Sequence, residues 1–360
     1  MKFLSFSLES ISTPFKRPLQ IGKKQLFSKP SLYLTLNFSN GFSGTGEISL
    51  LPGLIDHSPS EITHELEHFL TPLEGTSLLI TKDILTKLPL ELPFFGLLPR
   101  PSNKLCSPTI CGLEMALLLW LEKSFPSLFN KILRKDLNRL SVPVNELIFP
   151  LMNPSDIFLQ QSKTFKIKIG RGQEKEEISF LNKLGAALSM KGKKDVSLRL
   201  DGNQHFSLEG LLSYLEKLTP QTKRLIEYIE EPLLDLSLWP EIYEQTGLGL
   251  GIDESLLDFW HSSKKFPKGT KALIVKPSFH GGASQTFTFI KWAEKNDLKC
   301  VISSTFETSL GLYALALLAN YQGSCPAGLS TSTYLVEKSP LFNLSLQKGR
   351  LSFIKGESPF

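Results

Sequence analysis

Apolar and polar positions change rhythm along this chain. Residues 3–8 and 32–38 alternate apolar and polar, the period of antiparallel strands with one face on a core and one in water. Asn40-Gly41 then supplies a hairpin signal. Residues 60–70 carry Ile62, Leu66, Phe69 and Leu70 at helical spacing. From about residue 105 the pattern becomes strand, helix, strand, helix. Residues 144–149 and 165–169 read as the first two strands and 174–190 as a helix. Short apolar runs ending at Asp201, Glu230, Asp253 and Lys276 read as the next four strands, with helices at 208–218 and 284–296 between or after them. Residues 300–303 read as a seventh strand and 309–321 as its helix; 342–346 and 351–354 turn strand-like again. The expected fold class is α/β: a TIM-type (β/α) barrel at 105–330 behind an α+β domain at 1–104, joined by a return of 331–360. A doubly wound sheet is the rival, but it gathers its site at one switch point, not from five consecutive strands. Residues 71–104, rich in Leu and Pro, place no element.

The strand ends carry the chemistry. Asp201 and Glu230 are 29 residues apart and Glu230 and Asp253 are 23 apart, each step the length of a βα unit. Three acids at successive strand tops converge, and three carboxylates that close repel one another unless a cation sits between them. All-oxygen donors suit Mg²⁺, with Mn²⁺ as a substitute. Upstream, Lys166 and Lys168 share one face of a strand that should be apolar. Downstream, Lys276 follows Asp253 by 23 residues. Two adjacent lysines in a dry barrel mouth depress each other's basicity, which a lysine base requires.

At these residues the chain resembles the enolase superfamily, and within it the o-succinylbenzoate synthases of menaquinone biosynthesis. The matching pieces are Lys166-Ile167-Lys168, Arg199-Leu200-Asp201-Gly202-Asn203, Ile229-Glu230-Glu231-Pro232, Asp253-Glu254-Ser255, Lys276-Pro277-Ser278, Gly281-Gly282 and Ile302-Ser303-Ser304. Residues 46–53 look like the family's N-terminal capping domain. The resemblance implies Asp201, Glu230 and Asp253 as Mg²⁺ ligands, Lys168 as the base and Lys276 on the opposite face of the substrate. It also points to Lys166, Asn203, Ser303 and Ser304 around the substrate. Arg199 is either a barrel-interior ion pair or a contact to a substrate acid group. Gly281-Gly282 either lets the backbone approach the substrate or begins a helix. Strand alternation allows one acid of each doublet inward, and the resemblance selects Glu230 over Glu231 and Asp253 over Glu254. Gly202 stands where many relatives carry alanine, and the stretch between Lys168 and Asp201 reads as a longer loop.

The implied reaction is Mg²⁺-dependent syn-dehydration of 2-succinyl-6-hydroxy-2,4-cyclohexadiene-1-carboxylate to o-succinylbenzoate. The alternatives are an N-acylamino acid racemase or dipeptide epimerase of the same superfamily, and an inert barrel that only binds. Dipeptide epimerases grip an amine with an Asp-x-Asp pair at the eighth strand, where residues 323–330 here hold no acid.

Composition narrows the class. Hydrophobic content of 41% and charged content of 21% describe an ordinary globule, and a net charge of +5 without basic–aromatic blocks argues against nucleic acid. Lys16, Arg17, Lys23, Lys24 and Lys29 read as a solvated basic loop, or more sharply as one that attracts an acidic substrate. Cys106, Cys111, Cys300 and Cys325 have neither metal-ligand nor disulfide spacing. The first residues lack a signal peptide's apolar core, and the apolar run 110–120, which contains Glu114, is too short to span a bilayer. The expectation is a reduced, cytoplasmic protein with a small dicarboxylate as its substrate and no membrane contact. His64-Glu65-Leu66-Glu67-His68 matches the zincin motif, but its His pair lies opposite the helix's apolar stripe, Pro72 follows, and no third ligand is near; it reads as a solvated helix face.

Overall fold

The structure, a computed structural model, describes residues 1–21, 24–78, 94–98, 105–133, 140–148, 162–190, 195–338 and 340–354. Strands β1 (Phe3–Ile21), β2 (Lys24–Phe38) and β3 (Ser43–Ser49) form an antiparallel sheet in that order. The alternation at 32–38 is the buried face of β2, with Leu32, Leu34, Leu36 and Phe38 inside. The expected basic loop is instead strand. Lys16 and Arg17 sit in β1 at a register shift between Pro14 and Leu19, and Lys24 and Lys29 lie in β2; Lys23 is outside the described residues. Pro14 and Pro18 lie in β1, the edge strand of the sheet, which is where a strand tolerates proline. Lys29 is buried and paired with Glu47 at 2.5 Å, so it is no part of a solvated cationic patch.

Helix α1 (Pro59–Leu70) begins with a capping box between Ser58 and Glu61, and buries Ile62, Leu66, Phe69 and Leu70. His64 and His68 are exposed, and Glu65 accepts the Cys106 N–H at 2.8 Å, at the start of α2 (Ser107–Ser124). The zincin-like segment thus serves as a helix and a cap. Helix α2 lies flat on β3. A Cβ on Gly44 would stand 1.9 Å from the Ala116 carbonyl oxygen, and one on Gly46 2.0 Å from that of Gly112, so only glycine permits this approach. No helix among the described residues is long and apolar enough to cross a membrane.

After α3 (Pro126–Ile132) and β4 (Ser141–Pro143) comes a parallel sheet of seven strands whose spatial order follows the chain. They are β5 (Glu146–Ile148), β6 (Thr164–Lys168), β7 (Ser197–Asp201), β8 (Ile226–Glu230), β9 (Leu250–Ile252), β10 (Thr270–Val275) and β11 (Lys299–Ile302). Helices fill the crossovers: α4 (Glu174–Met190), α5 (Leu208–Glu216), α6 (Pro220–Leu225), α7 (Trp239–Thr246), α8 (Leu256–Ser262), α9 (Pro277–His280), α10 (Gly282–Lys295) and α11 (Ser309–Gln322). The curled sheet brings its two edge strands to one short segment. Val144 makes a parallel bridge with Ala327, and Ser303 with Gly328. The helix expected at 174–190 is α4, so a longer loop before Asp201 is confined to the residues on either side of it; residues 191–194 lie outside the described set.

The chain ends in a hairpin of β12 (Asn343–Gln347) and β13 (Arg350–Ile354), and β13 pairs with β4. Just upstream, Leu335 bridges Phe15 of β1. The C-terminal stretch therefore touches the N-terminal sheet at one point and the approach to the parallel sheet at another.

Candidate active site

Parallel register sets the site. Lys168 is level with Asp201, and Asp201 with Glu230, so three strand-end side chains stand side by side. Asp253 follows β9 and Lys276 follows β10. The Lys166 ammonium lies 3.0 Å from Asp201 and also bonds Glu230. Lys168 is 3.9 Å from Asp201, and its Nζ donates to Asn203 Oδ1 at 3.2 Å. Lys276 donates to both oxygens of Asp253 at 2.6 Å. The structure thus brings together Lys166, Lys168, Asp201, Glu230, Asp253, Lys276 and Asn203.

Burial divides these groups by sign. It lowers the Lys168 amine, opposed by Asp201 and helped by the positive charges of Lys166, Arg171 and Lys276. Burial also works against Lys166, but Asp201, Glu230 and Asp253 overcome it and hold that ammonium well above its ordinary value. Burial opposes ionisation of Asp201, yet Lys166 and Lys168 keep it well below the carboxylate range. Glu230 is pushed up to about 7 by burial, against Lys166 and with the repulsion of Asp201 and Asp253.

The second acid of each doublet forms a second layer. Glu231 leaves the strand through a left-handed backbone, φ 36°, and accepts the Asp253 N–H at 2.7 Å as well as the Ser255 hydroxyl. Glu254 accepts from Asn203 Nδ2 at 2.9 Å, and its Oε2 is buried without a hydrogen-bond partner among the described residues. Asn203 and Gln204 are also left-handed, φ 41° and 60°. Such conformations cost about 1–3 kcal/mol each and collect where the surrounding structure over-determines them. Asn203 is thereby locked: its Oδ1 takes Lys168 and, at 2.8 Å, Arg171. Arg171 carries no signal in the sequence, while Glu231 and Glu254 are visible there as the second acids of the doublets Glu230-Glu231 and Asp253-Glu254 and are passed over for the first.

The remaining candidates fall elsewhere. Arg199 has no exposure and points away from this cluster. It donates to Glu227 at 2.8 Å, Asn145 at 3.1 Å and the Pro326 carbonyl at 2.6 Å, and stacks 5.3 Å over the Tyr228 ring. Glu227 lies near the amino end of β8, so Arg199 is the interior ion pair, not a substrate contact. Gly282, φ 86°, is pressed against α2; a Cβ would stand 2.7 Å from Glu114 Oε2. With Gly281, φ 103°, it separates α9 from α10, the helix-start alternative. Ser304 is buried, and its hydroxyl meets Thr331 at 2.5 Å; Ser303 follows β11, bridges Gly328 and is half-buried.

Among the described residues, no three His, Cys, Asp or Glu side chains stand in a metal-holding arrangement. Ammonium groups occupy the space between the acids. The charges nevertheless do not balance. Asp201, Glu230 and Asp253, backed by Glu231 and Glu254, oppose three ammonium groups, and Glu231, like Glu230, is pushed up to about 7 by burial. This donor set, all oxygen and in excess of its local cations, fits a hard divalent ion.

A family model described as "Enolase C-terminal domain-like" matches residues 157–351, over half of the 360. The chain is 32% identical over 174 residues to the o-succinylbenzoate synthase of Haemophilus influenzae, covering 48% of this chain and 51% of the relative. It spans about half the length of the curated synthases it matches. Among solved structures, the L-Ala-D/L-Glu epimerase from Bacillus subtilis superposes with TM-score 0.75 at 20% identity, covering 98% of this chain and 97% of that one. MenC from Desulfotalea psychrophila does so with TM-score 0.71 at 22% identity, covering 98% and 99%. Strand-end lysines and acids on a curled parallel sheet, behind an N-terminal antiparallel sheet, are thus joined to a family match over most of that sheet, and the chain belongs to the enolase superfamily.

Proposed function

We propose that this protein is a carbon–oxygen lyase of the o-succinylbenzoate synthase type, dehydrating 2-succinyl-6-hydroxy-2,4-cyclohexadiene-1-carboxylate in menaquinone biosynthesis in the cytoplasm. The parallel sheet closes, on this reading, as a (β/α)₈ barrel with Ala327–Gly328 as its eighth stave. The observation that carries the choice of reaction is that stave: it is bonded to both edges of the sheet, and residues 323–330 present no carboxylate for a substrate amine. An unpaired ammonium in a closed site costs several kcal/mol, which disfavours a dipeptide and leaves a dicarboxylate. The synthase relatives support the same choice.

In this reading Lys168, its amine made less basic by burial, takes the proton next to the substrate carboxylate. The C–H electron pair moves into that carboxylate. That pair then returns to form the last ring C=C bond as the C–O bond breaks, and the Lys168 ammonium gives its proton to the departing hydroxyl, which releases water and leaves the aromatic ring. Lys276 places its charge on the opposite face, and Asn203 holds the Lys168 amine in place. Asp201, Glu230 and Asp253 would hold Mg²⁺, which supplies positive charge against the negative charge gained by the substrate carboxylate.

A second reading, proton exchange at an N-acylamino acid or dipeptide, is favoured by the lysines on two flanking strands. The test is to incubate the protein with Mg²⁺ and the cyclohexadiene and follow loss of the diene absorbance. Turnover supports the lyase. No turnover, with brisk epimerisation of a dipeptide or N-succinylamino acid in D₂O, replaces it with the second reading.

A further inference from the structure

The backbone of Lys276 is gripped by the turn that follows it. Its carbonyl accepts the Phe279 and His280 N–H groups at 2.9 and 2.8 Å, and its own N–H donates to His280 Nδ1 at 2.9 Å. The direction of the Lys276 side chain therefore depends on where the short helix α9 sits. Ser278, fully buried in that helix, donates to Glu307 Oε1 at 2.8 Å. Glu307, also fully buried, accepts from the Thr305 N–H at 2.7 Å and the Thr305 hydroxyl at 2.6 Å. Thr305 in turn meets the N-terminal sheet: the Ser49 and Thr305 hydroxyls are 2.9 Å apart, and Ser49 Oγ donates to the Thr305 carbonyl at 3.2 Å. Beside it, Glu47 of β3 accepts from the Thr308 N–H and hydroxyl, both at 2.8 Å, and from Lys29 at 2.5 Å.

This junction carries two carboxylates and one ammonium, all with no exposure. Burying a charge is costly, and an apolar contact would join two layers at least as well. What a buried carboxylate adds is a defined direction for every donor around it. Here the donors are the loop after β11 and the turn after β10.

We propose that Ser278, Glu307 and Thr305 are positioning residues that aim Lys276, and that the N-terminal sheet sets this aim through Ser49 and Glu47. The inference rests on the proposed role of Lys276, and misplacement of a reacting group by about 1 Å costs up to about 100-fold in rate.

Ser278→Ala and Glu307→Gln test it, with Glu114→Gln as the control. Glu114 is another buried carboxylate between layers, bonded to the Ser284 N–H at 2.7 Å and the Ser284 hydroxyl at 2.5 Å at the start of α10. The first readout is independent of any substrate: trace acetylation of the folded protein, with modification at each lysine quantified by peptide mass spectrometry. The expected result is a severalfold change at Lys276 in Ser278→Ala and Glu307→Gln, none at Lys276 in Glu114→Gln, and none at Lys29 in Ser278→Ala. The second readout is kinetic: kcat falls about tenfold with KM unchanged in the two test variants, while the control keeps both. Unchanged Lys276 labelling in Ser278→Ala overturns the inference, as does an equal change in all three variants, which marks a merely structural junction. If the wild-type protein turns over neither the cyclohexadiene nor an exchange substrate, the proposed function fails while the labelling still decides the positioning. If Glu307→Gln does not fold, Ser278→Ala carries the test.

Discussion

Lys276 holds both oxygens of Asp253 at 2.6 Å. The residue proposed to supply charge to the reaction is thus bonded to one of the acids that would hold the metal, and the same doubling occurs where Lys166 meets Asp201 and Glu230. Site assembly and metal binding are therefore expected to compete for the same carboxylates.

Chelation is the direct check on that expectation. EDTA should abolish turnover, and Mg²⁺ or Mn²⁺ should restore it. Asp201→Asn, Glu230→Gln and Asp253→Asn should each weaken Mg²⁺ binding by about tenfold or more by calorimetry, while circular dichroism stays native. Full activity after exhaustive chelation sinks the metal assignment.

Lys168→Ala should reduce dehydration by about 10²–10⁴-fold, the usual worth of a general base, with the folded state intact. Near-normal turnover would move the base elsewhere, with Lys166 the first candidate, since it shares the same strand face.

Gly202→Ala tests a departure from the family pattern. A Cβ there would stand 2.8 Å from the Pro232 Cα, so backbone next to Glu230 and Glu231 must shift. We expect a loss of about 1–3 kcal/mol, read from the denaturant midpoint, together with a lower kcat. A variant as stable and as active as the parent would show that this segment yields freely.

Arg199→Leu should cost about 3 kcal/mol, because it leaves Asn145 and the Pro326 carbonyl without their donor and Glu227 with Lys299 alone. KM should not change in the folded fraction. A stable variant with a large rise in KM would return Arg199 to the substrate.

The chain's own pattern determined the order of the parallel strands from 165 to 303, the placement of Lys168, Asp201, Glu230, Asp253 and Lys276 at or just past strand ends, and Lys166 on the face of Lys168. These follow from local periodicity, because each strand is a short apolar run that stops at a charged residue. Parallel pairing with short crossovers then puts consecutive strand ends side by side. The basic cluster at 16–29 reads as a loop because a run of charges carries no strand period, while pairing of β1 with β2 makes it strand. Arg199 and Asn203 flank Asp201 at equal spacing, but only the tertiary structure sends one to Glu227 and the other to Lys168. Alternation allows one acid of each doublet inward, and the resemblance puts Glu231 and Glu254 outside. A left-handed backbone at Glu231 and the bond from Asn203 to Glu254 bring them to the site instead. Glu47, Glu114 and Glu307 carry no periodic signal at all. Their partners Thr308, Ser284 and Ser278 lie between 29 and 261 residues away in the chain, a distance over which only packing decides which buried donor meets which carboxylate.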